Sequence, residues 1–432
     1  MDAEAHEFGI GRVTRFYVPL LLQGFSQSLT YPLVAGIVSH GPDGVNGLTA
    51  FAQGQIVMFL VGALGGGLVT TGLMFAKTRK GYCEFRRLNS FMMAALLLLQ
   101  SLPAVHPFDK WVFEGFFALP PDLAQTARWT LLFGVVMYGF FFLRNLPMVV
   151  LFNNLESGKA NIATFLRILA TLALAVLLPR LSLVGAGWGL FALTVGCGVE
   201  YAVTWLFARR YVRDLPGEDV GEHVSLAEQL KFTLPLSLGG FLLMLSPLLI
   251  AAFVGRSENA QDMLAIHYVT IGVANPVAFA ALRMQTVAIE FPPAGKGDRR
   301  LMWYCVLSGA VLGLIPLVFA ATPAGNWYFG SYKNVPPRLV GIAMLATGIY
   351  SLIAIVQTLR ARMEGLAALC KRPGAVMWGQ FGYTAALFTT LFVTLKVGVA
   401  GWLMAVSAIF IAPAVAALVV WAAISLTRRG DI

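Results

Sequence analysis

The chain has 432 residues, of which 58% are hydrophobic and only 12% charged, with a formal net charge of +10. Soluble globular chains carry about twice that charged fraction, so a water-soluble enzyme or binding module is excluded. Apolar runs recur along the whole length, near 12–39, 45–76, 84–104, 125–153, 160–179, 186–208, 230–254, 263–290, 301–321, 338–367, 375–395 and 400–426. Each is about twenty residues or longer, enough to cross a hydrocarbon core of about 30 Å as a helix. The sequence therefore predicts an all-α membrane protein with twelve transmembrane helices, numbered here span 1 to span 12.

In chain order, the acidic start MDAEAHEFGI lacks the basic segment and cleavage site of a signal peptide, so span 1 is expected to act as an uncleaved insertion signal. On span 1, Gln23 and Gln27 lie one turn apart with Thr30 and Tyr31 following, which gives that helix a polar face. Span 2 carries GALGGGLVTTG (62–72). Lacking the lysine and strand of a phosphate loop, these glycines fit close helix packing instead. Span 4 holds Arg144 and Asn145 between MYGFFFL and LPMVVLF, and span 5 holds Arg167. The stretch RRYVRDLPGEDVGEHVSLAEQ (209–229) is the most polar of the chain, and SLAE within it reads as a capping box that starts span 7. Span 8 sets Asn275 before Pro276, which removes a backbone donor and should free a carbonyl or kink the helix, and carries Arg283 further on. Span 10 ends in TLRARMEG, with Arg360, Arg362 and Glu364.

The location of the basic residues matters more than their sum. The clusters Lys77/Arg79/Lys80, Arg86/Arg87, Arg209/Arg210/Arg213, Arg299/Arg300, Lys371/Arg372 and Arg428/Arg429 all fall on one side of the predicted spans. By the positive-inside rule that side is cytoplasmic, with both termini, in a multi-pass protein of the plasma (bacterial inner) membrane. The basic charge thus serves topology, and no nucleic-acid partner is expected.

Arg144, Arg167, Arg283, Arg360 and Arg362 remain within spans. Helix rise puts Arg144 and Arg360 about 15 Å, and Arg167 and Arg283 about 12–14 Å, from the inner span ends. An arginine facing lipid at the bilayer centre costs about 2.5–3.5 kcal/mol, so these side chains should face a wet cleft or acids. Only Glu200 and Glu364 lie within spans, with Glu156 and Glu290 at span ends, so arginine outnumbers carboxylate. An interior of that kind attracts anions, and the guanidinium fork matches carboxylate and phosphate. Arg167 and Arg283 are also shallow enough to snorkel to the interface. Arg362 with Glu364 fits either a gate or charge-tuning pair or a simple helix end.

The chain repeats itself. RFYVPL (15–20) recurs as KFTLPL (231–236), Trp111 and Phe113 as Trp327 and Phe329, LPPDL (119–123) as VPPRL (335–339), and AGW (186–188) as AGW (400–402). In the same register Arg144 falls on Arg360 and Gly158 on Gly374. Each half holds six spans, so both insert with the same orientation, as in parallel-repeat transporters. The expected organisation is an N-lobe (1–208), a cytoplasmic linker (209–229) and a C-lobe (230–432) around a central cleft.

Cys83, Cys197, Cys305 and Cys370 form no CxxC pair, and His267 stands alone within a span, so no metal site is expected. No HExxH, GxSxG or paired-acid constellation appears at a span end, so no catalytic residues and no cofactor are expected, and the chain is read as a non-enzyme.

The duplicated halves, with GAGW (185–188) and GVAGW (398–402) before the last span of each, resemble the multidrug/oligosaccharide/polysaccharide (MATE-like) flippase superfamily. Within it, RFYVPL, GLMFAKTRKG (72–81) and LRARMEGLAALCK (359–371) resemble the progressive ankylosis family, in its pattern of Arg360-Ala361, Gly365 and Lys371. The resemblance implies a V-shaped fold of two pseudo-symmetric six-helix lobes and export of multivalent anions such as ATP, citrate or pyrophosphate. The long acidic tail of the animal proteins is absent here. Cation-extruding relatives use carboxylates in the first or seventh span, and spans 1, 2 and 7 contain none.

The reading is an alternating-access exporter of organic or phosphate-containing anions, expected to be a monomer in the lipid bilayer. Arg144, Arg360, Arg167 and Arg283 are the expected substrate contacts, with Asn145, Gln23, Gln27 and Asn275 as further cleft residues. A flippase of lipid-linked saccharide and a MATE-type drug or cation exporter are the alternatives.

Overall fold

A computed structural model describes residues 8–116, 119–217, 224–295, 299–333 and 335–427. Among the described residues there is helix and no strand. Nine helical segments there are long and apolar enough to cross a membrane: Ala50–Phe75, Pro121–Asn153, Ser157–Arg180, Ala186–Arg213, Leu226–Val254, Asp262–Glu290, Arg300–Ala321, Pro337–Leu369 and Gly401–Ser425. The helices Ile10–Ser39, Arg79–Ser101 and Pro373–Val397 cover the three remaining predicted spans. They are spans 1, 3 and 11.

Local sequence rules account for the helix boundaries. Ser225 and Glu228 form the predicted capping box. The Glu228 carboxylate accepts from the Ser225 backbone N–H at 2.7 Å, and Ser225 Oγ accepts weakly from the Glu228 N–H at 3.4 Å. Pro121 and Pro337, the second members of the repeated Pro-Pro pairs, each begin a helix, where a missing N–H costs nothing. Span 8 runs as helix straight through Pro276, and its interruption lies at Arg283, between Ala260–Leu282 and Met284–Glu290. Spans 2, 7 and 10 are also interrupted, near Leu64–Gly66, Leu245 and Ser351–Leu352.

The duplication is visible in the backbone. Lys110–Phe116 and Asn326–Tyr332, at matching repeat positions, are both short π-helical turns. Phe113 and Phe329 are fully buried in them, and each carbonyl accepts a 2.9 Å hydrogen bond, from Leu119 and Val335 respectively.

Contacts divide the described residues into two compact units, one within 26–241 and the other of residues 8–25 together with those from Leu242 onward. Neither boundary falls in the polar linker at which the sequence divides the lobes, whose residues 218–223 lie outside the described ones. The packing explains the difference. The first part of span 1 joins the second unit, where Tyr304 donates to Thr14 at 3.1 Å and the rings of Phe16 and Phe291 meet edge to face. The first part of span 7 joins the first unit, where Thr233 and Thr71 share a 2.7 Å hydrogen bond.

The first unit packs around Met58, Leu131, Phe142, Val149 and Leu193. Its glycine-rich segment fits the packing role read from the sequence. A Cβ on Gly72 would stand 2.7 Å from Val149 Cγ2, and those on Gly62 and Gly65 would overlap the rings of Tyr138 and Phe142. The second unit packs around Ile266, Phe329, Leu387, Met404 and Ala412.

Candidate functional site

Among the described residues, each unit contains a cluster of buried charge at matching repeat positions. In the first, Arg144 (span 4), Arg167 (span 5) and Glu200 (span 6) converge, with Arg144 at 4% exposure and Glu200 at 0%. Glu200 Oε2 accepts from Arg144 Nη1 at 2.5 Å and from Arg167 Nη1 at 2.9 Å. Its other oxygen accepts from Thr164 Oγ1 at 2.6 Å. The guanidinium of Arg144 also lies over the Phe141 ring, 4.2 Å from its centroid. A buried carboxylate is stable only when paired and hydrogen-bonded, and this one has charge on one oxygen and a hydroxyl on the other.

Helix geometry produces this meeting. Thr164 and Arg167 are three residues apart on span 5 and therefore share a face. Gly196, one turn before Glu200 on span 6, lets the helices close: a Cβ there would lie 3.1 Å from Arg167 Cγ. The cluster carries two guanidinium groups for one carboxylate, an excess of positive charge in a buried place. Arg144 Nε is buried with no acceptor.

In the second unit, Arg360 Nε donates to Glu364 Oε1 at 2.9 Å, and Gln380 Nε2 donates to the same oxygen at 2.5 Å. The Arg360 guanidinium lies 5.3 Å from the centroid of the Tyr383 ring. Arg360, Glu364, Gln380 and Arg362 are all buried. Residues four apart on a helix are neighbours, whereas residues two apart point to opposite sides. The Glu364 carboxylate grouped with Arg362 in the sequence reading is thus engaged by Arg360, one turn back.

The repeat register relates the two clusters position by position. Arg144 corresponds to Arg360, Thr164 to Gln380 and Arg167 to Tyr383. In both units the first position supplies the arginine, the second a neutral donor to a glutamate, and the third a group beside the arginine. The acids do not correspond: Glu200 comes from span 6, Glu364 from span 10 itself.

The other predicted residues fall elsewhere. Asn145 is buried beside Asn89, whose side chain donates to the Phe142 carbonyl at 3.1 Å, so it belongs to the joint of spans 3 and 4. Gln23 is buried in the second unit, while the side chain of Gln27 lies outside the described residues. Asn275 is exposed, and Arg283 is half-buried at the interruption of span 8. Sequence reasoning named neither Thr164, Gln380 nor Tyr383. The register that paired Arg144 with Arg360 would have found them.

No protein-family model and no curated protein sequence matches the chain. Solved structures do. A MATE transporter in the bent conformation is 13% identical, covers 97% of this chain and 96% of its own, and superposes with a TM-score of 0.72. A MOP-superfamily transporter from Pyrococcus furiosus, described by a reversed polarity of its binding pocket that suggests a different function, is 14% identical over 96% of this chain and 95% of its own, with a TM-score of 0.72. The Vibrio cholerae MATE transporter VcmN in its bent form is 14% identical over 98% and 97%, with a TM-score of 0.70. The chain has the MATE transporter fold, along its whole described length.

Proposed function

We propose that this chain is an alternating-access membrane transporter of multivalent anions. The observation that supports this most is the cluster at Glu200, where two arginines from spans 4 and 5 surround a single carboxylate. Five arginines within spans carry an insertion cost that a packing role alone does not repay, and the guanidinium fork is shaped for carboxylate and phosphoryl oxygens. The fold likeness to MATE and MOP transporters supports transport as the activity. The reversed pocket polarity named for the Pyrococcus furiosus transporter, and the different function it is said to suggest, offer a precedent within this fold for a change of pocket charge.

The finer reading, a transporter of ATP, citrate or pyrophosphate, rests on the progressive-ankylosis-like stretch LRARMEGLAALCK, in which Arg360 and Glu364 lie. Arg144, Arg167 and Arg360 are the proposed anion-binding groups, with Arg283 and Arg362 as further positive charge. Outward movement then needs no coupled ion. Each negative charge leaving a cell polarised by 100 mV gains about 2.3 kcal/mol, so a trivalent anion gains about 7 kcal/mol. A drug or cation exporter is the alternative reading, since one solved structure of like fold is described as a multidrug resistance MATE family transporter. That reading fits the two buried clusters less well, since Glu200 and Glu364 are each paired with arginine there.

Uptake of labelled ATP, citrate and pyrophosphate into proteoliposomes, set beside a lipophilic cation, tests the proposal. Anion uptake above that of empty vesicles is expected. Uptake of the cation alone would overturn it.

A further inference from the structure

The two clusters are alike in position and unlike in mechanics. Arg360 and Glu364 sit four residues apart on one helix, so no movement of helices against each other separates them. Glu200 stands on span 6, while its two arginines stand on spans 4 and 5. A shift of span 6 against its neighbours withdraws the carboxylate and leaves two guanidinium groups open together. The third repeat position sharpens the contrast: Arg167, the second guanidinium of the first cluster, is the Tyr383 ring in the second.

Resting on the anion-transport reading, we propose that Glu200 is a tethered stand-in for the substrate, and that transport exchanges its carboxylate for a carboxylate or phosphoryl group of the cargo on Arg144 and Arg167. The cluster holds what such an exchange requires. Nη1 of both arginines donates to one oxygen, Glu200 Oε2, at 2.5 and 2.9 Å, so an incoming anion finds two donors already aimed at a single oxygen position. Arg144 Nε is buried without an acceptor, a donor that a bulkier polyanion reaches and Glu200 does not. The exchange offers the two guanidinium groups a new anionic ligand as the Glu200 carboxylate withdraws. Thr164 holds Glu200 Oε1 at 2.6 Å in the resting arrangement, opposing premature release. In the second unit Glu364 stays beside Arg360 on the same helix, so Arg360 contributes its charge there without such an exchange.

A tethered competitor lowers apparent affinity by the fraction of time it occupies the site. Glu200→Gln should therefore reduce KM for pyrophosphate uptake in proteoliposomes by about tenfold, if Glu200 fills the fork about nine-tenths of the time. In detergent, the same variant should lose thermal stability and regain it with millimolar pyrophosphate, by a larger Tm shift than wild type shows. Arg167→Gln should raise KM, and Glu364→Gln should cost thermal stability rather than sharpen affinity. A folded Glu200→Gln protein with wild-type KM and a wild-type pyrophosphate Tm shift overturns the exchange while leaving anion transport standing. A fall in KM in Glu364→Gln equal to that in Glu200→Gln overturns its assignment to the first unit. Wild-type vesicles that carry no anion overturn both proposals together.

Discussion

Thr164 and Gln380 occupy the same position in the two halves of the chain, and each donates a hydrogen bond to a buried glutamate, Thr164 to Glu200 at 2.6 Å and Gln380 to Glu364 at 2.5 Å. Neither glutamate has a counterpart in the other half, yet the donor position is kept. What the duplication preserves is thus the arrangement around a carboxylate rather than the carboxylate itself. Thr164→Val keeps the shape of the side chain and removes the one neutral donor to Glu200. A buried hydrogen bond to a charged group contributes about 1.5–3 kcal/mol, so the variant should unfold earlier by about that amount. Thermal or denaturant unfolding in detergent measures it, and wild-type stability would show that Glu200 Oε1 finds another donor.

The charge balance at Glu200 sets an order among substitutions. Arg144→Gln leaves the carboxylate still held by Arg167 and Thr164. Glu200→Ala instead leaves two guanidinium groups together without a counter-charge. Removing the shared partner of a buried pair costs about 3–5 kcal/mol, whereas a substitution that leaves the rest satisfied costs about 1–2 kcal/mol. Glu200→Ala should therefore be the more destabilising of the two in unfolding measurements. The reverse order would mean that Arg144, with its contact to Phe141, holds spans 4 and 6 by packing more than by charge.

These two cases mark what the sequence made legible. The spans, the duplication and the arginines within spans follow from composition and spacing, because hydrophobic length and charge placement are local properties of the chain. Arg360–Glu364 was within reach of the same local rules, since residues one turn apart share a face. The sequence reading takes Arg362 with Glu364 as a gate, charge-tuning or helix-end pair and does not note Arg360 one turn before Glu364. Glu200 was out of reach in a different sense. It lies 56 residues from Arg144 in the chain, and only the packing of spans 4, 5 and 6 brings them together. That spans 1 and 7 each divide between the two units was hidden for the same reason, because each reads as one continuous span.

Glu156 links spans 4 and 5, lying between Pro121–Asn153 and Ser157–Arg180. The Tyr211 hydroxyl donates to its carboxylate at 2.6 Å and Lys159 Nζ donates to the same oxygen at 2.9 Å. The hydrogen bond from Tyr211, and after it Lys159, hold the Glu156 carboxyl below its usual range against the opposing effect of partial burial. Because the folded value is lowered, the contribution to stability is present above the ordinary carboxylate value and is lost as pH falls through the folded one. The site is partly exposed, so the effect should be small and screened by salt. Unfolding of wild type and Tyr211→Phe, followed from pH 7 to below the carboxylate range, should show a gap that narrows as pH falls. A gap constant with pH would mean that Tyr211 acts by packing alone.

Gly67 governs how closely span 2 meets the first part of span 7. A Cβ at this position would stand 2.7 Å from the Thr233 carbonyl oxygen and 2.9 Å from Leu236 Cβ. The first of these is backbone, which cannot rotate aside. One turn along, Thr71 bonds Thr233 through their hydroxyls at 2.7 Å while a 3.0 Å bond from Thr71 Oγ1 to the Gly67 carbonyl fixes its rotamer. Gly67→Ala must therefore move the helices apart and stretch the Thr71–Thr233 bond in the same displacement. Overpacking of this kind costs about 1–3 kcal/mol, and loss of the hydroxyl pair through Thr71→Val costs about 0.5–1.5 kcal/mol. The double variant should lose less than the sum of the two, because the alanine has already weakened the bond that the valine removes. Unfolding of the two single variants and the double variant in detergent measures this coupling. Strict additivity would mean that span 7 tolerates the added methyl without leaving Thr71.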